Sequence, residues 1–282
     1  MKEITFLLYR VKFIQDPDLF ISSEKSKEKF FLEALIEKPS AELRKGHIWH
    51  IGNLQQLTEN ENYGLFAIGR TATKQTEKFD IESRDFITLL DEQSPFTYVL
   101  FLANLGVIAI ARKYILTSNT NGVAEKIRKL LSATKTVLYN KLRVEVDIIP
   151  DPDDFLEKLN DAYKVIAFSA TFKGPNPFDA DEYFQKPNSA YLNAAHGTLG
   201  ESTIYGEDLN RDVITQVTHS SAATSNLARA KIIDENGKKA HWIKMKKEAA
   251  RVSNDSNGSV LSHLNAIESR YNEIRANNDN EH

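Results

Sequence analysis

The sequence has 282 residues, of which 41% are hydrophobic and 27% charged, a composition typical of a globular protein with one large domain or two smaller ones. Its 36 basic and 39 acidic residues leave a formal net charge of −3, which excludes a strongly basic chain that coats nucleic acid through bulk charge. The chain contains no cysteine, which excludes disulfide bonds, a thiolate nucleophile, thiolate-bound zinc and iron–sulfur clusters.

The first half of the chain predicts mainly strands. Alternating apolar residues favour a strand over 4–13 rather than a signal peptide, because Arg10 and Lys12 interrupt the apolar run. An apolar hairpin follows later, with its turn at Gly106. We predict further strands over 47–54, 63–73, 96–103 and 107–114, and helices over 24–37 and 119–131. No run approaches the ~20 apolar residues of a membrane-spanning helix, so we expect a cytoplasmic protein.

The second half repeats this alternation of strands and helices. The turn signal at 235–237 contains Asn236-Gly237 and predicts a hairpin, and the Gly/Pro run at 174–177 ends the preceding strand sharply. We predict strands over 143–149, 164–172, 228–233 and 240–245, and helices over 152–160, 208–218 and 259–275, followed by a solvated tail over 277–282. The pattern predicts an α+β fold with mixed or antiparallel sheet layers and helices packed on them. We place an N-terminal α+β domain at 1–173, and a C-terminal domain with a basic hairpin and a long closing helix at 174–282.

The small net charge conceals three strongly charged blocks. Residues 112–143 contain eight basic side chains and a single acidic one, Glu125. Residues 145–185 contain ten acidic and three basic side chains, and residues 229–251 contain eight basic and three acidic ones. Because salt screens charge beyond about 10 Å, a distant acidic block does not cancel the field of a basic one.

The two basic blocks predict sequence-nonspecific binding to nucleic acid, duplex DNA or alternatively RNA. Lysine and arginine side chains neutralise phosphates, a two-stranded ribbon can enter a DNA groove, and a polar loop before a helix can contact the backbone. The acidic block would then confine the polyanion to one face. The candidate binding residues are Arg112, Thr117, Lys126, Arg128, Lys129, Lys135, Lys239, Lys244, Lys246 and Lys247.

Two other classes of function remain open. The acidic block could hold metal ions for a nuclease through Asp147, Asp151 and Asp154, or the chain could be a toxin that acts on RNA. No Asp or Glu has a lysine two positions later, which argues against the usual restriction-type nuclease pattern. Alternatively, the charged faces could pair with one another in an oligomer. We predict no catalytic residue, metal or cofactor for the leading interpretation.

The segment from Phe96 to Phe172 resembles the layout of RexA, a DNA-binding sensor of a prophage exclusion system, and of the KwaB-type proteins of the Kiwa defence system. In those families an apolar strand, a glycine turn, a strand ending in Ala-Arg, a polar Thr/Ser loop and a helix follow one another. The matching residues are Gly106, Ala111, Arg112, Thr117, Ser118 and Thr120. The resemblance implies a cytoplasmic, homodimeric, sequence-nonspecific duplex-binding sensor of phage DNA. It also implies signalling to a partner, a membrane or other effector protein encoded nearby.

Overall fold

Antiparallel strands dominate the computed structural model, which describes residues 3–15, 25–57, 60–173, 184–234 and 239–275. Within these ranges the chain forms seven helices and thirteen strands, and this confirms the predicted α+β class. The chain divides into two compact units. The central unit is Val11–Val146, and the terminal unit combines Met1–Arg10 with Asp147–His282.

The central unit consists of antiparallel strands and three helices. Its elements are β2 (Ser40–Arg44), β3 (His47–Gln56), β4 (Tyr63–Asp80), β5 (Asp85–Gln93), β6 (Phe96–Leu102), β7 (Val107–Ala111), α1 (Lys27–Ile36), α2 (Thr120–Ser132) and α3 (Lys135–Tyr139). Strand β1 (Glu3–Gln15) contributes its second half, next to β7, and the remaining order is β7, β6, β4, β3, β2. Strand β5 pairs only with the far half of β4, where the two form a long ribbon. Strand β8 (Leu142–Ile148) pairs with β1.

Burial explains why these elements form. Phe66, Ile68 and Phe101 lie in the centre of the sheet and have no exposed surface, and the ring of Phe31 on α1 packs edge-on against Phe101 at 5.8 Å. Helix α2 buries a stripe of apolar residues at helical spacing, namely Val123, Ile127, Leu130 and Leu131. The basic residues of α2 therefore lie on its remaining surface.

The terminal unit contains a separate four-stranded antiparallel sheet. Its elements are α4 (Asp153–Asn160), β9 (Lys164–Phe172), α5 (Gln185–Ala194), β10 (Gly200–Tyr205), α6 (Arg211–Ala223), β11 (Ala228–Ile233), β12 (Ala240–Lys244), β13 (Arg251–Asp255) and α7 (Val260–Arg275). The strand order is β10, β9, β11, β12. Helices α5 and α6 contact β9, and α4 contacts β12. Strand β13 pairs with the first residues of β1, from Glu3 to Leu7.

The structure divides the chain differently from the predicted boundary at 173/174. Strand β9 lies before that boundary, yet it pairs with β10 and β11, which lie after it. One sheet therefore spans the predicted division, because a strand pairs with whichever partners complete its backbone hydrogen bonds. The predicted turn at 235–237, the Gly/Pro run at 174–177 and the tail at 277–282 lie outside the described residues.

Several elements were not predicted from the sequence, namely β2, β5, β10, β13, α3 and α5. Most of them are short or largely exposed, so they lack the apolar periodicity on which the predictions depend. In the described parts of the chain, no helix is long and apolar enough to cross a membrane.

Candidate nucleic-acid interface

The first basic block lies in the central unit, where part of its charge is already engaged on α2. Arg128 donates two hydrogen bonds to the carboxylate of Glu125, at 2.8 and 2.7 Å, and the Lys129 ammonium lies 3.8 Å from the same carboxylate. These bonds hold the pKa of Glu125 below its usual value. The ammonium of Lys126 lies 5.8 Å from the ring centre of Trp49, within cation–π range. Helix α2 thus presents three cations, two of which share one acid.

The polar loop before α2 mostly serves the helix itself. Asn119 is the N-cap, and its Oδ1 accepts the backbone N–H of Gly122 at 3.0 Å. The hydroxyl of Thr117, a predicted phosphate contact, donates to the backbone oxygen of Asn119. The guanidinium of Arg112 lies 4.5 Å from the ring centre of Tyr114. Arg112 therefore keeps its charge at the surface, while Thr117 has its donor occupied.

Lys135 opens the short helix α3, whose first backbone amides already bind an anion. The carboxylate of Glu37 accepts the N–H of Lys135 at 2.7 Å, and it accepts the N–H and hydroxyl of Thr136 at 2.8 and 2.6 Å. Burial alone would raise the pKa of Glu37, but the bonds from Thr136 and Lys135 outweigh it and lower that pKa. The Lys135 side chain is exposed, whereas its backbone is engaged.

The second basic block lies in the terminal unit and forms the β11–β12 hairpin, which we call the basic ribbon. Arg229 pairs across the ribbon with Lys244, and Lys231 pairs with Trp242. Because side chains alternate along a strand, these four residues share one face. The opposite face is buried and carries Ala230, Ile232 and Ile243.

Two further predicted lysines flank the ribbon. Lys239 precedes β12 and Lys247 follows it, and both are exposed. Within the described ranges, neither these two nor Lys244 forms an ion pair with a carboxylate, whereas Lys246 lies 3.3 Å from Asp154. The ribbon and its flanking residues therefore carry three exposed lysines, Lys239, Lys244 and Lys247, whereas Lys246 is engaged with an acid.

A hydrogen-bonded network fixes the centre of this surface. Arg229 forms an ion pair with Glu201 at 2.9 Å, and its guanidinium lies 4.8 Å from the ring centre of Trp242. The Ser169 hydroxyl donates to Glu201 at 2.6 Å, and the Thr203 hydroxyl donates to Ser169 at 3.0 Å. Neighbours on β9, β10 and β12 thus hold the Arg229 side chain in place.

Sequence reasoning missed several residues of this surface. The alternation in β11 would have placed Arg229 and Lys231 on the face opposite to the apolar residues, beside Trp242. No sequence signal pointed to Ser169, Thr203 or Tyr205, because their strands meet the ribbon only through the register of the sheet.

The acidic block, the candidate for a metal site, is paired with cations. Arg270 donates to Asp151 at 2.9 Å and to Asp153 at 2.7 Å. Asp154 lies 2.9 Å from Lys158 and also contacts Lys246.

The three aspartates Asp151, Asp153 and Asp154 border an open cavity of about 320 Å³ together with Lys246. Asp147 lies 3.5 Å from Lys173. Each carboxylate proposed for a nuclease therefore faces an ammonium or a guanidinium. The described residues contain no group of three or more His, Asp or Glu placed to hold a metal ion.

No protein-family model matches the chain, and no curated protein matches its sequence.

Proposed function

We propose that this protein binds nucleic acid without sequence preference, with duplex DNA as the primary ligand, and that it acts as a sensor in anti-phage defence. The observation that carries the proposal is the basic ribbon, whose exposed face carries the three cations Arg229, Lys231 and Lys244. Of two more exposed lysines, Lys239 directly precedes β12 and Lys247 lies three residues beyond its end.

Charge and shape both support this proposal. Each lysine that neutralises a phosphate releases counterions, so several cations on one surface give affinity that depends strongly on salt but not on sequence. A two-stranded ribbon is narrow enough to enter the major groove of duplex DNA. Two acids beside the ribbon are paired with cations, Asp154 with Lys158 and Lys246 and Glu201 with Arg229, which lowers their repulsion of a polyanion.

The biological role rests on the resemblance to RexA and KwaB-type proteins. In this proposal the protein is cytoplasmic and homodimeric, and it passes the signal of phage DNA to an effector protein. The segregation of charge is independent support, because it follows from the sequence without reference to any family.

A gel-shift assay over a series of salt concentrations tests the proposal. Replacing Lys239, Lys244 and Lys247 by glutamine removes three phosphate contacts, so the slope of log K against log salt should become less steep by roughly 2 to 3. The matched control replaces Lys29, Lys45 and Lys78, three exposed lysines outside both basic blocks, by glutamine and should leave the slope unchanged. Equal effects of the two triple variants would contradict the assignment to the ribbon, and absence of binding by the unmodified protein would refute the function.

The cations of α2 form a second part of the proposal. Replacing Lys126, Arg128 and Lys129 by glutamate should also weaken duplex binding and flatten its dependence on salt. We expect a smaller effect per charge than at the ribbon, because Arg128 and Lys129 already share Glu125. Unchanged binding by this variant would remove α2 from the interface.

A further inference from the structure

Two rows of side chains cross the exposed face of the four-stranded sheet, which we call the open face. In the first row Tyr205 lies opposite Ala167, Ala167 opposite Lys231, and Lys231 opposite Trp242. The second row is parallel to the first, two residues away on each strand, and consists of Thr203, Ser169, Arg229 and Lys244. An aromatic ring thus stands at each end of the first row, and a line of hydroxyl and cationic groups runs beside it.

The bonds within the sheet establish that these residues share a face. Thr203 bonds to Ser169, Ser169 bonds to Glu201, and Glu201 pairs with Arg229, which lies over Trp242. Tyr205 follows Thr203 by two residues and therefore points the same way. The opposite face carries Phe168, Ala230 and Ile243, which are buried on the side that the helices cover.

The exposed fractions of the side chains describe the shape of the open face, in which two exposed rings flank a buried alanine. Tyr205 is 77% exposed and Trp242 is 37% exposed, whereas Ala167 between them is fully buried. With strands about 4.8 Å apart, the backbones that carry the two rings lie roughly 14 Å from each other across the sheet. Ser169 in the second row is buried as well, so a ligand would contact the side chains around these two residues rather than the residues themselves.

A cavity adjoins Trp242 at the free edge of β12. It has a volume of about 490 Å³, and its lining includes Trp242, His241, Lys244, Lys158 and Asp161. The guanidinium of Arg229 covers part of the indole, and the cavity lies beside it. The lining also includes Asp234, which lies 3.6 Å from His241, so a flat ring that enters the cavity would find an aromatic wall, two ammonium groups and two carboxylates.

Exposed aromatic rings beside cations match the chemistry of an unpaired strand. Bases in a duplex stack on one another and offer only their edges, whereas the π-faces of an unpaired strand are free to stack on side chains. Sequence-independent single-strand sites combine such stacking with lysine and arginine contacts to the backbone. The Thr203 hydroxyl donates its proton to Ser169, so its oxygen is left to accept a hydrogen bond from a sugar hydroxyl rather than to donate one to phosphate.

We infer that the open face binds single-stranded nucleic acid, with bases stacked on Tyr205 and Trp242 and phosphates held by Lys231 and Lys244. This inference rests on the proposed nucleic-acid function and defines the form of nucleic acid that this surface takes. An unpaired strand occurs wherever a duplex is opened, so the surface responds to opened DNA or to RNA rather than to the intact duplex alone.

Fluorescence anisotropy with labelled oligonucleotides of about 15 units, matched to the upper end of known single-strand site sizes, tests the inference. The probes are oligo(dT), oligo(U) and a duplex of equal length. Replacing Tyr205 or Trp242 by leucine should weaken single-strand binding by roughly 5- to 100-fold each, because stacking is lost, while Trp242→Phe should retain most of it. Duplex affinity should change less than about 2-fold, because phosphate contacts remain.

The control is Tyr191→Leu, which removes a similarly exposed tyrosine (71%) from α5 in the same unit and should affect neither probe. A spectroscopic readout is independent of affinity. The sequence contains two tryptophans, so in a Trp49→Phe background the emission reports on Trp242 alone, and stacking of oligo(dT) should quench it. Quenching by the duplex to the same extent would contradict the inference.

Failure of the inference and failure of the proposed function give different results. Single-strand binding that survives both leucine substitutions overturns the inference but leaves nucleic-acid binding intact. Loss of duplex and single-strand binding to equal extents in the leucine variants also overturns it, since stacking would not then be the distinguishing contact. No binding of any probe by the unmodified protein overturns both.

Discussion

At the scale of single residues, the side chain of Glu37, which follows α1, caps the first backbone amides of α3. Its carboxylate accepts three hydrogen bonds at the start of α3, from Lys135 and Thr136, nearly a hundred positions further along the chain. Amides at a helix start carry partial positive charge and lack partners within the helix. Glu37 supplies the missing acceptor.

We predict that Glu37→Gln lowers the free energy of unfolding by about 0.5 to 1 kcal/mol at neutral pH, in the range of lost helix caps and screened surface charges. The folded-state pKa lies below the ordinary value of 4.5, so this stabilisation is present above that value and is lost as pH falls through the folded pKa. Urea unfolding of both proteins at neutral and acid pH should therefore show a difference that shrinks on acidification. The exposed Glu77→Gln serves as control, and a pH-independent difference would contradict the prediction.

Arg270 has the corresponding role in the terminal unit, where it joins α7 to the aspartates just before and at the start of α4. Its guanidinium contacts Asp151, Asp153 and Glu273, and only 19% of the side chain is exposed. Burial by itself would lower the pKa of Arg270, but the bonds to Asp153, Glu273 and Asp151 outweigh it and raise that pKa.

Replacing Arg270 by methionine should lower the free energy of unfolding by about 1 to 2 kcal/mol, because Asp151 and Asp153 then lose the cation that they share. Chemical denaturation measures this loss. Arg143→Met removes a more exposed pair with Glu145 and should change stability by less than about 0.5 kcal/mol. Similar effects of the two substitutions would show that the cluster around Arg270 contributes no more to stability than an exposed ion pair does.

At the scale of elements, the far half of β4 and the whole of β5 form a ribbon with much exposed surface. Phe79 and Phe86 meet edge-to-face at 5.2 Å near its end, and Phe86 and Ile81 are largely exposed. A two-stranded ribbon of this kind buries little apolar surface and contributes little to the stability of the unit that carries it.

Deleting residues 77–88 and joining Thr76 to Leu89 through an Asn-Gly turn should therefore leave the fold intact. These two residues lie opposite each other in the register, and Asn-Gly favours the turn that such a hairpin needs. We expect the free energy of unfolding to change by no more than about 0.5 kcal/mol, the usual range for surface changes. A much larger decrease in the free energy of unfolding, measured by heat or urea, would show that the β4–β5 hairpin is part of the cooperative core.

The same contrast between buried and exposed elements explains what the sequence could predict. The β6–β7 hairpin and helices α2 and α7 have regular apolar periodicity, and each was predicted within a few residues. Strand β10 is largely exposed and polar, so its period-two pattern carries no apolar signal. Its residue Tyr205 reaches the open face only through pairing with β9, which sequence spacing does not specify.

For the candidate site, too, the features that depend on composition could be predicted, and those that depend on tertiary contacts could not. The charge blocks are properties of the sequence, and they indicated the basic ribbon before its geometry was known. The engagement of Lys246 by Asp154 and of Thr117 by Asn119 depends on tertiary and loop contacts, which composition cannot reveal.

At the scale of the whole molecule, the terminal unit is assembled from both ends of the sequence. Arg10 on β1 is fully buried, and it donates to the backbone oxygen of Ala223 at 3.0 Å and to the hydroxyl of Tyr271. One side chain from the start of the chain thus bonds to the end of α6 and to α7. A buried guanidinium is retained only where such bonds offset its desolvation.

Arg10→Met should destabilise the terminal unit by about 2 to 4 kcal/mol, because the buried acceptors around it lose a charged donor. Arg251→Met is the matched control, since Arg251 is exposed and pairs only loosely with Glu248 at 3.6 Å, and it should cost less than about 0.5 kcal/mol. Urea unfolding followed by tryptophan emission and by circular dichroism measures both. An Arg10 variant as stable as the control would refute this account of the unit.

The pairing of β1 with β13 can form only late in the synthesis of the chain. The hydroxyls of Thr5 and Ser253 meet at 3.2 Å, yet 248 positions separate the two residues in the chain. At ribosomal rates of 5–20 residues per second, Thr5 waits roughly 12 to 50 seconds for that neighbour to be synthesised. A nascent chain that stops before Arg251 cannot pair Glu3 to Leu7 with β13 and leaves that strand edge open to chaperones and proteases. The fold thereby distinguishes translation products that reach β13 from those that do not.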